Sequence, residues 1–218
     1  MVSQTEENYL KALFHLTYDQ GHKAEAGTNE VAEFLEVKPA SANDMLKKLK
    51  DKGYVWFEKY GKITLTKDGK AIAVEIVRKH RLWETFLYEK MNFSWDEIHE
   101  VAEQLEHIKS QKLIEQLEIL LDYPQVDPHG DPIPNAKGKM KKINHKRLSE
   151  VCVGNVCKLI NVKDDSVAFL QYVANLGLSL NSKIKILSRQ EFDGSMEIEV
   201  NRKRITVSQK FGNNLFVV

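Results

Sequence analysis

Six side chains between positions 80 and 107 have the types and spacing to hold a divalent metal ion. His80 and Glu84 stand at i and i+4, and His99, Glu103, Glu106 and His107 follow at i, i+4, i+7 and i+8. On an α-helix the last four fall within roughly 100° of arc. Neutral imidazole and carboxylate are donors suited to a divalent transition metal. A solvated acidic helix face with incidental histidines would carry the same letters. The run His99-Glu100-Val-Ala-Glu103 also has the outline of a zinc-hydrolase H-E-x-x-H helix, but Glu103 replaces the second histidine and no motif supplies a nucleophile or an oxyanion hole.

Positioning such a cluster requires helices. The pattern predicts a long helix over 67–90 and another over about 95–121, joined by a turn at 92–95. Leu82, Trp83, Phe86 and Leu87 exceed what one side of the first helix needs, which points to a homodimer interface. Residues 122–135, with prolines 124, 128, 132 and 134 and Gly130, are barred from regular structure.

The 218 residues, 42% of them hydrophobic, can bury the core of one large domain or two smaller ones. The formal charge of +1 is unevenly spread. Residues 38–70 carry nine Lys against four acids, residues 82–122 three Lys against ten acids, and residues 137–147 six Lys or Arg and no acid. A polyanion for the first block and a cation for the second would explain the alternation. Cys152 and Cys157 form no disulfide framework or zinc knuckle and read as reduced thiols buried in a strand region. The polar opening Met1–Glu7 lacks the apolar segment of a signal peptide, and no stretch approaches the roughly 20 apolar residues of a membrane span. The expectation is a soluble, cytoplasmic protein with no membrane partner.

The N-terminal third reads as a DNA-binding unit. A helix is predicted over 5–18 with Thr5 as N-cap, then a loop over 19–27 and a helix over 28–35 capped by Thr28. A turn at 36–38 leads to a helix over 39–52 that starts with Pro39 and stops at Gly53. Two short helices joined by about three residues match a helix-turn-helix, whose second helix enters the major groove. Its first turns offer Lys38, Pro39, Ala40, Ser41, Ala42, Asn43 and Asp44 to base edges, with Lys47, Lys48 and Lys50 placed for phosphates. Strands over 54–58 and 63–66 with a turn at 59–62 follow, so Lys59 and Lys62 would tip a hairpin lying over the backbone. This order of elements resembles winged-helix regulators. A small helical hairpin inside a larger bundle is the plainer alternative. From Val151 short β-prone runs (156–162, 184–187, 196–200, 204–207, 215–218), interrupted by a helix over 165–175, read as a small all-β barrel.

Several motifs together carry a family resemblance: Glu7-Asn-Tyr-Leu10, Val37-Lys-Pro-Ala-Ser41, Lys67-Asp-Gly69, Arg78-Lys-His-Arg-Leu82 with Glu84, Glu103-x-x-Glu106-His107, Pro128-His-Gly-Asp-Pro-Ile-Pro134 and the run 177–187. In this order and spacing the whole chain resembles the diphtheria toxin repressor family of metal-dependent transcriptional repressors, with its manganese-sensing MntR branch. The resemblance implies an α+β multidomain chain: a winged-helix DNA-binding domain over 1–70, a helical dimerisation and metal-binding domain over 71–136, a linker over 137–150 and an SH3-like, FeoA-type domain over 151–218. It also implies a primary metal site of Glu103, Glu106 and His107 with Asn8 of the first helix, and an ancillary site of His80, Glu84 and His99. A second arrangement would join Glu84 to Asp127, His129 and Asp164. Asn8 stands where the family has methionine or aspartate, and Lys11 where manganese-type members place a second glutamate. Hard oxygen and imidazole donors favour Mn2+ or Fe2+, with Zn2+, Co2+ or Ni2+ able to bind in vitro. The implied function is a homodimeric repressor of metal-homeostasis genes on a pseudo-palindromic double-stranded DNA operator. A metal-independent winged-helix regulator answering to an organic ligand or a protein is the alternative.

Overall fold

The computed structural model describes residues 2–19, 25–57, 62–141 and 143–218. The chain divides into two compact units: residues 1–80, 104–110 and 134–139 form one, and residues 81–103, 111–133 and 140–218 the other. No helix among the described residues is long and apolar enough to cross a membrane.

The first unit opens with α1 (Gln4–Phe14), whose cap is Ser3 and not Thr5. Ser3 and Glu6 exchange side chain-to-backbone hydrogen bonds of 3.0 and 3.3 Å, a capping box that fixes the start two residues earlier. A π-helical turn, His15–Asp19, extends α1 in place of a longer α-helix. Thr28 is the first residue of α2 (Thr28–Phe34), not its cap, because the Glu30 carboxylate accepts the Gly27 N–H at 2.8 Å. The turn to α3 (Pro39–Asp51) is closed by Glu36 N–H to the Glu33 carbonyl and Val37 N–H to the Ala32 carbonyl. That double closure puts Glu36 at φ +53°, a left-handed conformation which costs a non-glycine residue roughly 1–2 kcal/mol. Gly53, at φ +75°, ends α3 through the same pair of bonds without that cost. Two strands form the expected hairpin, β2 (Val55–Phe57) pairing antiparallel with β3 (Lys62–Leu65); a third, β1 (Ala26–Gly27), comes from the stretch read as a loop and pairs with the other edge of β3. The hairpin tip expected around Lys59 lies outside the described residues. Leu10, Leu13, Phe14, Leu46, Leu49 and Ile63 are fully buried and form the core.

α4 (Lys67–Met91) begins where Thr66 Oγ1 accepts the Gly69 N–H at 3.1 Å. Its second half belongs to the other unit, with α5 (Ile98–Leu105) and α6 (Gln111–Leu120). The expected helix over 95–121 is therefore two helices, separated at residues 106–110. The Ile108 N–H closes on the Leu105 carbonyl at 3.1 Å and turns the chain out of α5. Of the four apolar residues expected to form a spare face, Leu82, Trp83 and Leu87 are buried within the single chain and Phe86 is half-buried. The exposed large apolar side chains here are Tyr88 and Met91 near the end of α4 and Leu113, Ile119 and Leu120 on α6.

The C-terminal part of the second unit is a six-stranded antiparallel sheet of order β4-β9-β5-β6-β7-β8. Its strands are β4 (Lys146–Arg147), β5 (Val156–Val162), β6 (Lys183–Arg189), β7 (Met196–Val200), β8 (Lys203–Val207) and β9 (Leu215–Val217). α7 (Val167–Asn175) and a short α8 (Gln209–Asn213) accompany it. β4 and the buried Leu148 lie in the stretch read as linker; the edge of β9 recruits it by backbone pairing. Cys157 is buried in β5 as expected, while Cys152 is exposed in the turn before it.

Gly130 decides how the proline-rich loop meets this sheet. It has φ +93°, and a Cβ there would lie 1.9 Å from the Ile160 carbonyl oxygen. A Gly130→Ala substitution meets both a left-handed backbone and a backbone clash, and is expected to cost at least about 2 kcal/mol. Thermal melting checks this: the variant should melt roughly 4 °C or more below the wild type.

Candidate metal centre

Two elements of the second unit converge on one buried point. α4 supplies Glu84, and the loop after α6 supplies Asp127 and His129. Ligand atoms of these three lie within 4.8 Å of one another, and all three residues are buried. The loop is rigid because Asp127 Oδ1 accepts the backbone N–H groups of His129 at 2.8 Å and Asp131 at 3.0 Å. β5 holds it from outside: the Val162 N–H donates to the His129 carbonyl at 2.9 Å, and Asn161 Nδ2 to Asp131 Oδ1 at 2.8 Å. The Trp95 indole donates to the Pro128 carbonyl at 2.6 Å and stacks on His129 with centroids 5.7 Å apart. His129 Nε2 lies 3.2 Å from the Trp95 carbonyl oxygen, and its Nδ1 is 3.9 Å from Glu84 Oε1. A histidine whose Nε2–H is engaged by a carbonyl keeps the Nδ1 lone pair for a ligand role.

The electrostatics of this point are negative. Arg81 Nε is 3.5 Å from Asp127 Oδ2, and the same guanidinium donates to the Pro132 carbonyl at 2.7 Å. Burial pushes the Asp127 carboxyl well above the ordinary range, the charges of Asp131 and Glu84 push it further, and Arg81 opposes them. His99 Nδ1 is 3.2 Å from Glu84 Oε1, and His99 Nε2 is 3.7 Å from the half-exposed Glu103. Buried oxygens, one oriented imidazole and excess negative charge fit a divalent cation by donor chemistry.

The first unit gathers the other candidates differently. Glu106 and His107 are past the end of α5, in the turn, so the four-residue stripe expected on one helix does not form. Glu106 is fully buried. Lys11 Nζ lies 2.8 Å from its Oε1 and 2.9 Å from its Oε2, and His80 Nδ1 lies 2.5 Å from Oε2. Burial raises the Glu106 carboxyl, but His80 and Lys11 outweigh it and hold the group below its ordinary value. His107 Nδ1 is 2.6 Å from Glu7 Oε2. Asn8 Oδ1 is buried with no hydrogen-bond partner among the described residues.

On α3, Pro39, Ala40 and Ser41 are exposed, Lys38 precedes them as the cap, and Asn43 is partly exposed. Lys47, Lys48 and Lys50 are exposed, with Lys47 Nζ 3.8 Å from Asp44. Ala42 is fully buried and belongs to the core, because it falls on the helix face shared with Leu46 and Leu49. Lys62 Nζ on β3 is 2.8 Å from Glu25.

Sequence reasoning did not single out Arg81 or Trp95 for this site. Neither stands out in the hydrophobic periodicity, and their roles depend on a loop about thirty to fifty residues away in the chain. Asp164, which the second arrangement joins to Asp127 and His129, accepts the N–H and hydroxyl of Ser166 on its Oδ1 at 3.1 and 2.6 Å.

Comparison with known proteins bears on this geometry. Residues 1–63 match the family model described as the iron dependent repressor N-terminal DNA binding domain. Residues 66–135 match its metal binding and dimerisation domain, and residues 146–218 match a FeoA domain. The HTH-type transcriptional regulator MntR of Geobacillus thermodenitrificans is 32% identical over 127 residues, covering 58% of this chain and 87% of that protein. A probable metal transport system membrane protein of Chlamydia trachomatis is 32% identical over 143 residues, 64% of this chain, but the match spans only 31% of that longer protein. A solved structure described as a manganese-dependent transcriptional repressor complex with manganese superposes with a TM-score of 0.87 at 31% identity, over 98% of this chain and 99% of that one. The winged-helix unit, the buried carboxylate and imidazole groups and the antiparallel C-terminal sheet thus occur together, and the chain belongs to the iron-dependent repressor family of metal-dependent, DNA-binding transcriptional repressors.

Proposed function

We propose that this chain is a homodimeric repressor whose DNA affinity is raised by Mn2+ or Fe2+ bound at Glu84, Asp127 and His129, and that it controls metal-homeostasis genes. The observation that carries the reading is the convergence of these three buried donors within 4.8 Å. Bound there, the cation would neutralise carboxylates that burial otherwise leaves costly. The residues act by orientation: Trp95 aims His129, the backbone of 129–131 aims Asp127, and Arg81 limits the charge in its absence. Metal can favour the DNA-binding form only by binding it more tightly than the other form. His99 and Glu103 flank Glu84 as auxiliary donors.

In this reading residues 1–70 recognise DNA, residues 71–136 dimerise and bind metal, the linker of 137–150 connects up to β4, and β4 with residues 151–218 buttresses the loop of Asp127. Lys38, Pro39, Ala40, Ser41 and Asn43 face base edges of a pseudo-palindromic operator. Lys47, Lys48 and Lys62 face phosphates. The exposed Leu113, Ile119 and Leu120 are the apolar groups a second copy would cover. The protein works in the cytoplasm and catalyses no reaction.

Three measurements test the reading. Fluorescence anisotropy with promoter fragments, in chelator and then with Mn2+, anaerobic Fe2+ or Zn2+, should show affinity rising with metal in the wild type and flat in Glu84→Ala and His129→Ala; metal-indifferent wild-type binding would defeat it. Lys47→Ala or Lys48→Ala should each lower the slope of log K against log salt by about one. The third concerns Asp127, whose folded-state pKa is raised, so its charge destabilises the metal-free fold as pH rises from the unfolded value through the folded one. Asp127→Asn keeps the oxygen that caps the loop. In chelator it should melt a few degrees above the wild type at pH 8, with the gap closing toward pH 4, and it should lose the stabilisation by Mn2+.

A further inference from the structure

The Glu106 carboxylate, implied by the family resemblance as a metal ligand, already holds a cation from its own chain. Lys11 Nζ contacts both oxygens, at 2.8 and 2.9 Å, with the lysine side chain 8% exposed and that of Glu106 0%. The neighbouring imidazoles are also engaged, while Asn8 Oδ1 and Glu106 Oε1 are buried without a hydrogen bond among the described residues. His80 Nδ1 lies 2.5 Å from Glu106 Oε2, and His107 Nδ1 lies 2.6 Å from Glu7 Oε2. Asn8 adds a neutral amide oxygen where a carboxylate would add charge.

We infer that the Lys11 ammonium is the resident cation of the Glu106 site, so that this site takes no divalent metal and α1 is tied to the 104–110 turn with or without metal. A dipositive ion on Glu106 would have to share a desolvated carboxylate with that ammonium, or displace a buried lysine from its 2.8 Å contact with it. The point around Glu84 and Asp127 is built the other way. There the Arg81 guanidinium, 3.5 Å from Asp127 Oδ2 and engaged with the Pro132 carbonyl, is shared between Asp127 and Asp131. The Glu106 carboxylate thus has a close ammonium of its own, while Asp127 shares a more distant cation.

The consequence is regulatory. α1 packs against α2, α3 and β3 and carries Lys11, so the attachment of this helix to the Glu106 turn is permanent. The metal response then passes through one site per subunit and not through two in sequence. This rests on the proposed metal-dependent function only in leaving Glu84, Asp127 and His129 to carry that response.

The test uses the full-length protein, stripped with chelator and dialysed to equilibrium against Mn2+, with the bound metal counted. Glu106→Gln should bind as many Mn2+ per subunit as the wild type, while Glu84→Gln binds fewer. Loss of one equivalent in Glu106→Gln overturns the inference. A second arm reads thermal melting in chelator. Lys11→Met, which strands a buried carboxylate, should melt roughly 6 °C or more below the wild type, and Lys11→Arg should recover most of the difference. If Lys11→Met melts with the wild type, the inference fails. Neither arm reads DNA binding, so metal-indifferent operator binding would sink the proposed function and leave this result standing on its own.

Discussion

Glu106 is fully enclosed, and a carboxylate out of water is tolerable only when cations and donors replace its hydration. Much of the first unit is arranged to meet that need. Lys11 comes from α1, His80 from α4, and the turn after α5 leaves the helix in order to present Glu106 to both. The second polar contact of that turn, His107 with Glu7, comes from α1 as well.

The second unit meets the same constraint with a different answer. Asp127 is fastened by backbone N–H groups, which hold its position but do not cancel its charge as a lysine would. Arg81 supplies partial compensation, at longer range than Lys11 gives Glu106. The remaining charge is held in place by a loop that cannot relax, because Gly130 lies against β5 and the His129 carbonyl is bonded to Val162. The contribution of the C-terminal sheet is therefore mechanical: it fixes the backbone from which two of the three donors project.

The helix-turn-helix shares α1 with the Glu106 cluster, but its own helices are limited locally. Its helices are set by local signals, namely the Ser3–Glu6 capping box, Pro39 at the start of α3 and paired carbonyl closures at Glu36 and Gly53. Its exposed lysines and small residues then lie on the face of α3 opposite Leu46 and Leu49. This is the half of the molecule where periodicity and capping rules act over distances of a few residues.

By itself the sequence determined the winged-helix order, the α+β division, five of the six strands of the C-terminal sheet and the family, because each is encoded in short-range patterning or in motifs read in order. It also singled out His80, Glu84, His99, Glu106 and His107 by type. Only the tertiary structure decided which of them meet. Helical spacing put His99, Glu103, Glu106 and His107 on one stripe, yet the chain leaves the helix at Leu105 and sends Glu106 to Lys11 and His80 while Glu103 stays with His99. Likewise Leu82, Trp83 and Leu87 read as a surplus apolar face and are spent inside the chain's own core. Arg81 and Trp95 acquire their roles from a loop distant in sequence. Periodicity reports which face of an element is apolar; the partner of a buried charge is chosen by desolvation and Coulomb energy between segments up to a hundred residues apart, and no local pattern records that choice.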